Sequence, residues 1–376
     1  MMNRIYFDNA ATTAMDPLVL ESMMPYLSQQ FGNASSIHSY GREARTAVEQ
    51  SRKLLAEYLH VKPGELFFTG GGTESTTTVI HCAVRDLGVR HIITSPIEHH
   101  ATLYNVQFLQ SLGLIQVSYV ELTQDGHIDL VDLEQKLASS KEKTLVSLMH
   151  ANNEIGNITD IVYVGELCEK HQALFHSDTV QTMAHFHLDL KKTKTHFVSA
   201  SAHKFHGPKG SGLLYINHDV QIKPLIHGGG QERNMRAGTE NVAGIVGFAK
   251  AFELSMEHHN EDAVYIRFLK DSMLEKLRES LPDIQFNGDT GERSLYTVLN
   301  AAFPLNERSE MLSIQLDIAG ICVSGGSACS SGAQGGSHVI KALHPGKSLV
   351  PVRFSFSKHN TIAEIETVVS KISEFL

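Results

Sequence analysis

Glu65-Leu66-Phe67-Phe68-Thr69 runs straight into Gly70-Gly71-Gly72-Thr73-Glu74-Ser75, and a helical pattern follows over Thr73–Arg85. Apolar and β-prone residues, then glycines, then a helix start spell strand, tight turn and helix. A glycine turn that opens a helix exposes backbone N–H groups at the positive end of the helix dipole, so it can hold a phosphate. The same turn also serves as a plain connection capped by Thr73. Neither G-x-G-x-x-G nor G-x-x-x-x-G-K-[ST] occurs here, and Gly207-Pro208-Lys209-Gly210-Ser211-Gly212 has the wrong glycine spacing for a P-loop.

Outward from this unit the pattern repeats. Strands are predicted at Glu65–Thr69, His91–Ser95, Ile115–Val120, Thr144–Met149, Ala173–Ser177, Phe197–Ser201 and Gly212–Ile216. Helices are predicted at Ala101–Leu112 and Ile161–His171. Such alternation predicts an α/β fold with a mainly parallel seven-stranded sheet covered by helices. Ligands of such sheets sit outside the carboxyl ends of the strands. Beyond a boundary near Met256–Asp262 the pattern changes. A long amphipathic helix over Glu261–Leu281 precedes strands at Ser294–Phe303, Ile321–Ser324 and Val352–Ser357. Helices near Ser309–Leu316 and Ile362–Phe375 complete a smaller α+β domain.

Composition sets limits. The chain has 376 residues, 32 basic against 41 acidic, for a net charge of −9. That balance argues against nonspecific nucleic-acid binding. Cys82, Cys168, Cys322 and Cys329 are too few for a disulfide scaffold and lack zinc or iron–sulfur spacing, so no metal is expected. A reduced, cytoplasmic setting is the expectation. No signal-peptide run or membrane span of about 20 apolar residues is visible. The 29 glycines and 22 histidines have meaning only by position.

Chemistry-bearing residues follow the predicted strands. Glu98-His99-His100 follows the second, His150 to Gly156 with Asn152 and Asn153 the fourth, Asp178 and Gln181 the fifth, and Ala202-His203-Lys204 the sixth. Each has an ordinary reading: surface histidines, turn-forming asparagines, a capping aspartate, a solvated lysine. Taken together they place a phosphate turn, an imidazole, a carboxylate and a lysine on one sheet edge. A partly desolvated lysine can form a Schiff base. That set meets the needs of pyridoxal 5′-phosphate, namely a lysine, an acid for the ring nitrogen and a phosphate cradle.

The chain also resembles the class V, fold-type I pyridoxal-phosphate enzymes, and among them the cysteine desulfurases of the NifS/IscS type. The matching segments run from Tyr6-Phe7-Asp8-Asn9-Ala10-Ala11-Thr12-Thr13 to Val352-Arg353-Phe354-Ser355-Phe356. They include Gly32-Asn33-Ala34-Ser35-Ser36, His227-Gly228-Gly229-Gly230, Arg236-Ala237-Gly238-Thr239 and Ser327-Ala328-Cys329-Ser330-Ser331. The resemblance implies a large domain over residues 15–257 and a small one over 1–14 and 258–376. Lys204 would carry the cofactor, Asp178 would pair with its ring nitrogen, and Gln181 would bond its phenolic oxygen. His99 would stack on the ring and assist proton transfer. Gly72, Thr73, Ser201 and His203 would hold the phosphate. Asn153, which would also contact the cofactor, and Arg353, with Asn33 as a weaker candidate, would bind the substrate carboxylate. Thr239 would reach the phosphate of a second subunit, which implies a homodimer with shared sites.

Cys329 completes the set. It sits among small residues, Gly325 to Gly332, which read as an exposed loop able to carry a thiolate in and out of a site. The other three cysteines lie in predicted helices or a strand, as small buried hydrophobes do. The resemblance implies that L-cysteine becomes L-alanine, with its sulfur left as a persulfide on Cys329 for an acceptor protein. Gly332-Ala333-Gln334-Gly335-Gly336-Ser337 replaces the Leu-Glu-Pro-Ser of scaffold-feeding members, and the acceptor stays open. So do a selenocysteine lyase or another class V aminotransferase; a non-catalytic cofactor-binding scaffold is the remaining reading.

Overall fold

The computed structural model describes residues 4–325, 336–346 and 349–376. Its central sheet has seven strands: β1 (Leu66–Thr69), β2 (His91–Thr94), β3 (Gln116–Tyr119), β4 (Thr144–Ser147), β5 (Leu174–Asp178), β6 (Phe197–Ser201) and β7 (Gly212–Ile216). Their spatial order is β1-β7-β6-β5-β4-β2-β3. The β2–β3, β2–β4, β4–β5 and β5–β6 pairs are parallel, while β7 runs antiparallel to both β1 and β6. Two antiparallel pairings in series restore direction. The carboxyl end of β1 therefore lies on the same edge as those of β2, β4, β5 and β6.

Burial explains why the strands read as near-continuous apolar runs. Leu66, Ile93, Val146, Phe175 and Val198 enter one apolar cluster, and Phe67, Ile92, Leu145, Phe197 and Leu214 enter another. A sheet covered on both faces buries alternate side chains in opposite layers. The helix Ile161–Lys170 follows the same logic. Asp160 caps it by accepting from the Val162 and Tyr163 N–H groups, and Ile161, Val164, Leu167 and Cys168 form its buried stripe.

A second, three-stranded antiparallel sheet joins Leu349–Ser355, Val298–Pro304 and Gln285–Phe286. Its cluster takes Phe7 from the N-terminus, Ile266, Leu269, Met273 and Leu277 from the helix His259–Ser280, and Ile365, Val368 and Ile372 from the last helix. The strand predicted from Ser294 begins only at Val298. Residues before it form a turn, because the buried Lys270 ammonium donates to Ser294 Oγ (2.6 Å) and to the Leu295 carbonyl (2.8 Å). The Leu295 N–H is also drawn to the Gly156 carbonyl.

Candidate active site

The turn after β1 is built by close backbone approach. Gly212 of β7 is the register partner of both Thr69 and Ser201, which sets the glycine turn beside the end of β6. A Cβ at Gly212 would meet the Gly71 Cα at 2.5 Å, so backbone packs on backbone there. Gly71 has φ of 151°, a value L side chains rarely adopt. The turn opens helix α1 (Gly72–Asp86), whose first N–H groups have no partner within the helix.

The strand ends converge on a cavity of about 270 Å³ lined by Gly72, Thr73, His99, Asn153, Asp178, Gln181, Ser201, His203, Lys204 and Arg353. Three predicted residues are not in that set. Asn33 is exposed and its side chain accepts the Ser35 N–H at 2.9 Å. Thr239 is exposed and does not line the cavity of its own chain. Cys329 lies outside the described residues.

Electrostatics act on two buried carboxyls, Asp178 in the cavity lining and Glu98 outside it. Asp178 is buried, and loss of water raises its pKa to about 6, partly offset by the Val180 N–H and the Lys204 charge. Burial pushes Glu98 well above the usual carboxylate range, and its Oε2 has no partner among the described residues. At pH 7 Asp178 is therefore mostly the anion, while burial holds Glu98 toward its protonated form. Asp178 gives a stability prediction. Its native pKa exceeds the unfolded value, so the native state binds the extra proton and stability falls as pH rises from about 4 to 6. Asp178→Asn in the cofactor-free chain should therefore gain roughly 2–3 kcal/mol by pH 7 and little at pH 4. Urea unfolding at the two pH values checks this, and an equal effect at both would contradict it.

His99 caps helix α2 (His100–Ser111), its Nδ1 accepting the Ala101 N–H at 3.1 Å. Burial, then Lys204, lowers its pKa to about 4. The ring is thus neutral at pH 7, with the proton on Nε2, the one ring nitrogen not committed to the cap. His203 is lowered to about 4 for the same two reasons, burial first, and its Nδ1 lies 3.2 Å from Thr12 Oγ1.

Much of the site is held by the N-terminal segment, which the sequence marked only as a matching motif. Lys204 Nζ donates to the Ala10 carbonyl (2.5 Å) and the Ala11 carbonyl (2.8 Å). Gln181 Nε2 donates to the Ala10 carbonyl at 3.1 Å. Arg353, 1% exposed, donates to Asp8 Oδ1 (2.7 Å) and to the main-chain carbonyl of Asn153 (2.9 Å). A cavity residue the sequence reading passed over is His338. Its Nε2 donates to the Glu98 carbonyl at 2.9 Å and its ring lies 4.6 Å from that of His100. The Ser337-His338 pair just beyond the cysteine loop was the available signal.

The segment bearing Thr239 is clamped at two points. Glu232 accepts both terminal nitrogens of buried Arg52 (2.8 Å each) and the Phe68 N–H. Arg236 donates to both carboxylate oxygens of Glu74, in the first turn of α1.

Residues 5–368 match the family model described as aminotransferase class-V. The chain belongs to this family, among its cysteine desulfurases. The family assignment agrees with full-length relatives. A cysteine desulfurase IscS of Dictyoglomus turgidum is 39% identical over 100% of this chain and 95% of its own. A solved NifS-like protein superposes with a TM-score of 0.90 at 37% identity, covering 99% of this chain and 98% of that one. A second solved structure, SspA in complex with cysteine, gives 0.79 at 30% identity over 95% and 100%. The α/β architecture is that of the NifS-like fold-type I enzymes of the family, as the sheet predicted from sequence implied. Among the described residues no group of acidic, histidine and cysteine side chains is placed to hold a metal, and no helix is long and apolar enough to cross a membrane.

Proposed function

We propose that the protein takes sulfur from L-cysteine, releases L-alanine and holds the sulfur as a persulfide on Cys329 for an acceptor protein. The observation that carries this reading is one cavity holding a lysine amine, a buried carboxyl with raised proton affinity and a glycine-turned helix N-terminus. These groups fit pyridoxal 5′-phosphate. Gly72, Thr73, Ser201 and His203 would hold its phosphate, Asp178 and Gln181 its ring atoms, His99 its face, and Lys204 its aldehyde carbon. When bound, the cofactor withdraws electron density from the substrate α-carbon.

This chain's residues do the rest. Asp178, ionised at neutral pH, favours a protonated ring nitrogen. Neutral His99 packs an aromatic face without adding charge and presents Nε2–H. Lys204 removes the α-proton and returns one during alanine formation. Arg353 and Asn153 receive the substrate carboxylate. The Cys329 thiolate attacks the substrate sulfur; the carbon–sulfur bond breaks as the new sulfur–sulfur bond forms, and its electron pair goes to the substrate carbon. A homodimer with shared sites accounts for the exposed Thr239, which the paired clamps on its segment would present to a second subunit. Residues 15–257 would form the large domain, and 1–14 with 258–376 the small one.

The test is incubation of the cofactor-loaded protein with L-cysteine and no keto acid. Alanine should appear with sulfide or persulfide, and the Cys329 peptide should gain one sulfur by mass spectrometry. A dependence on keto acid would mean transamination instead.

A further inference from the structure

We infer that His185 is a positioning residue for Lys204, holding the main chain of the reactive lysine and tying it to Tyr296 and His259. This rests on the reading of Lys204 as the cofactor-bearing residue. The Lys204 main chain needs a holder. It ends a three-residue 3₁₀ turn, Ala202–Lys204, so no helical ladder takes up its carbonyl. His185 Nε2 lies 3.0 Å from that carbonyl. A carbonyl only accepts, so Nε2 carries the proton and donates it. Burial lowers the imidazole pKa, which keeps Nδ1 as a lone pair at neutral pH.

His185 is itself fixed from two sides. Its own carbonyl accepts from Tyr296 Oη and from His259 Nε2, both at 2.9 Å. Its Nδ1 is 3.3 Å from the same Tyr296 hydroxyl. Tyr296 belongs to the cluster around the three-stranded sheet, and His259 begins the long helix that packs there. One residue thus links the turn after β6 to the second sheet, its imidazole holding the Lys204 carbonyl and its own carbonyl held by Tyr296 and His259.

The backbone on both sides supports the assignment. Ala184, just before His185, has φ of 64°, and His206, two residues after Lys204, has φ of 66°. Non-glycine residues in the left-handed region cost energy and persist where the surroundings over-determine them. Here the two outliers flank a single hydrogen bond. On its far side, the same turn is stitched to Thr13, whose N–H and hydroxyl donate to the His203 carbonyl and whose hydroxyl accepts the His206 N–H. Lys204 is therefore gripped from the N-terminal segment and from His185 together.

Three variants test this in the pyridoxal 5′-phosphate-loaded protein. His185→Leu removes the donor. His185→Gln can supply it again from Nε2. His185→Met replaces the leucine variant if that chain does not fold. The leucine or methionine chain should lower kcat for L-cysteine by about tenfold or more with KM within about twofold, since a misplaced reacting group costs rate rather than uniform binding. The pH midpoint of the bound cofactor's visible absorbance should move by about one unit, because the lysine nitrogen then sits differently against the charges around it. The glutamine chain should recover most of both. Wild-type values in the apolar variant, or a glutamine variant no better than the apolar one, would overturn the inference. Borohydride reduction and peptide mapping of the wild type separate the two readings. A pyridoxyl group on Lys204 leaves only the role of His185 at stake; one on another lysine overturns the site assignment and this inference with it.

Discussion

Lys204→Ala should abolish turnover of L-cysteine, by at least about 10⁴-fold, and remove the visible band of the covalently held cofactor. Two losses combine. Under the proposed roles, the amine that would join the cofactor disappears, and so does the base that would handle the α-proton. The structure adds a check that needs no cofactor. Lys204 lowers the proton affinity of His99 and His203 and offsets the burial of Asp178. Removing its charge should raise all three pKa values. In the cofactor-free variant, histidine titration followed by NMR should therefore show His99 and His203 moving up from about 4. Lys209 is the rival lysine. It is exposed and lines a shallower opening beside the glycine turn rather than the main cavity. An unchanged visible spectrum in Lys204→Ala, lost in Lys209→Ala, would transfer the role.

Cys329→Ser should leave cofactor absorbance and substrate binding in place while alanine formation falls by at least about 10³-fold, because a serine hydroxyl at neutral pH is a far poorer sulfur nucleophile than a thiolate. Cys329 lies outside the described residues, but its flanks do not. Ser324 exchanges main-chain hydrogen bonds with Arg353, and Ser337 donates to Glu154 Oε2 at 2.5 Å. Arg353 and Glu154 both line the cavity, so the chain enters and leaves the cysteine segment beside the site. The three other thiols are poor substitutes. Burial pushes Cys82 up to about 11, and raises Cys168 and Cys322 as well. Alanine and sulfide released at the wild-type rate from Cys329→Ser would refute the nucleophile assignment.

The sheet was legible because its signals are local. Short apolar runs, β-branched residues and glycine or aspartate at their ends are written in neighbouring positions, and they marked all seven central strands to within a residue or two. The helices Pro17–Ser28 and Ser39–Tyr58 were not placed. The second carries eight charged or amide side chains among its twenty, and tertiary packing of Ala44, Ala47, Val48 and Leu55 defines its buried face. The early start expected for the strand at Ser294 failed for a similar reason. Lys270 is 24 positions away in sequence, and no local pattern announces that its ammonium will be buried against Ser294.

For the site, residue type and position after a strand, together with the family resemblance, marked Lys204, Asp178, Gln181 and His99 as candidates, and all four line one cavity. Chemistry restricts which side chains can form an imine, pair with a ring nitrogen or stack, and strand ends restrict where they can stand. What holds them was decided by the tertiary structure alone. Lys204 rests on Ala10 and Ala11 across more than 190 positions, Arg353 on Asp8 across 345, and the Lys204 carbonyl on His185 between two segments that each carry a left-handed residue, Ala184 and His206. Main-chain carbonyls carry no side-chain signature, so their role as partners emerges only when the chain has folded back on itself. The sequence by itself determined which groups could react; the fold decided which way they face, how much water they lose and therefore which of them carries a charge at neutral pH.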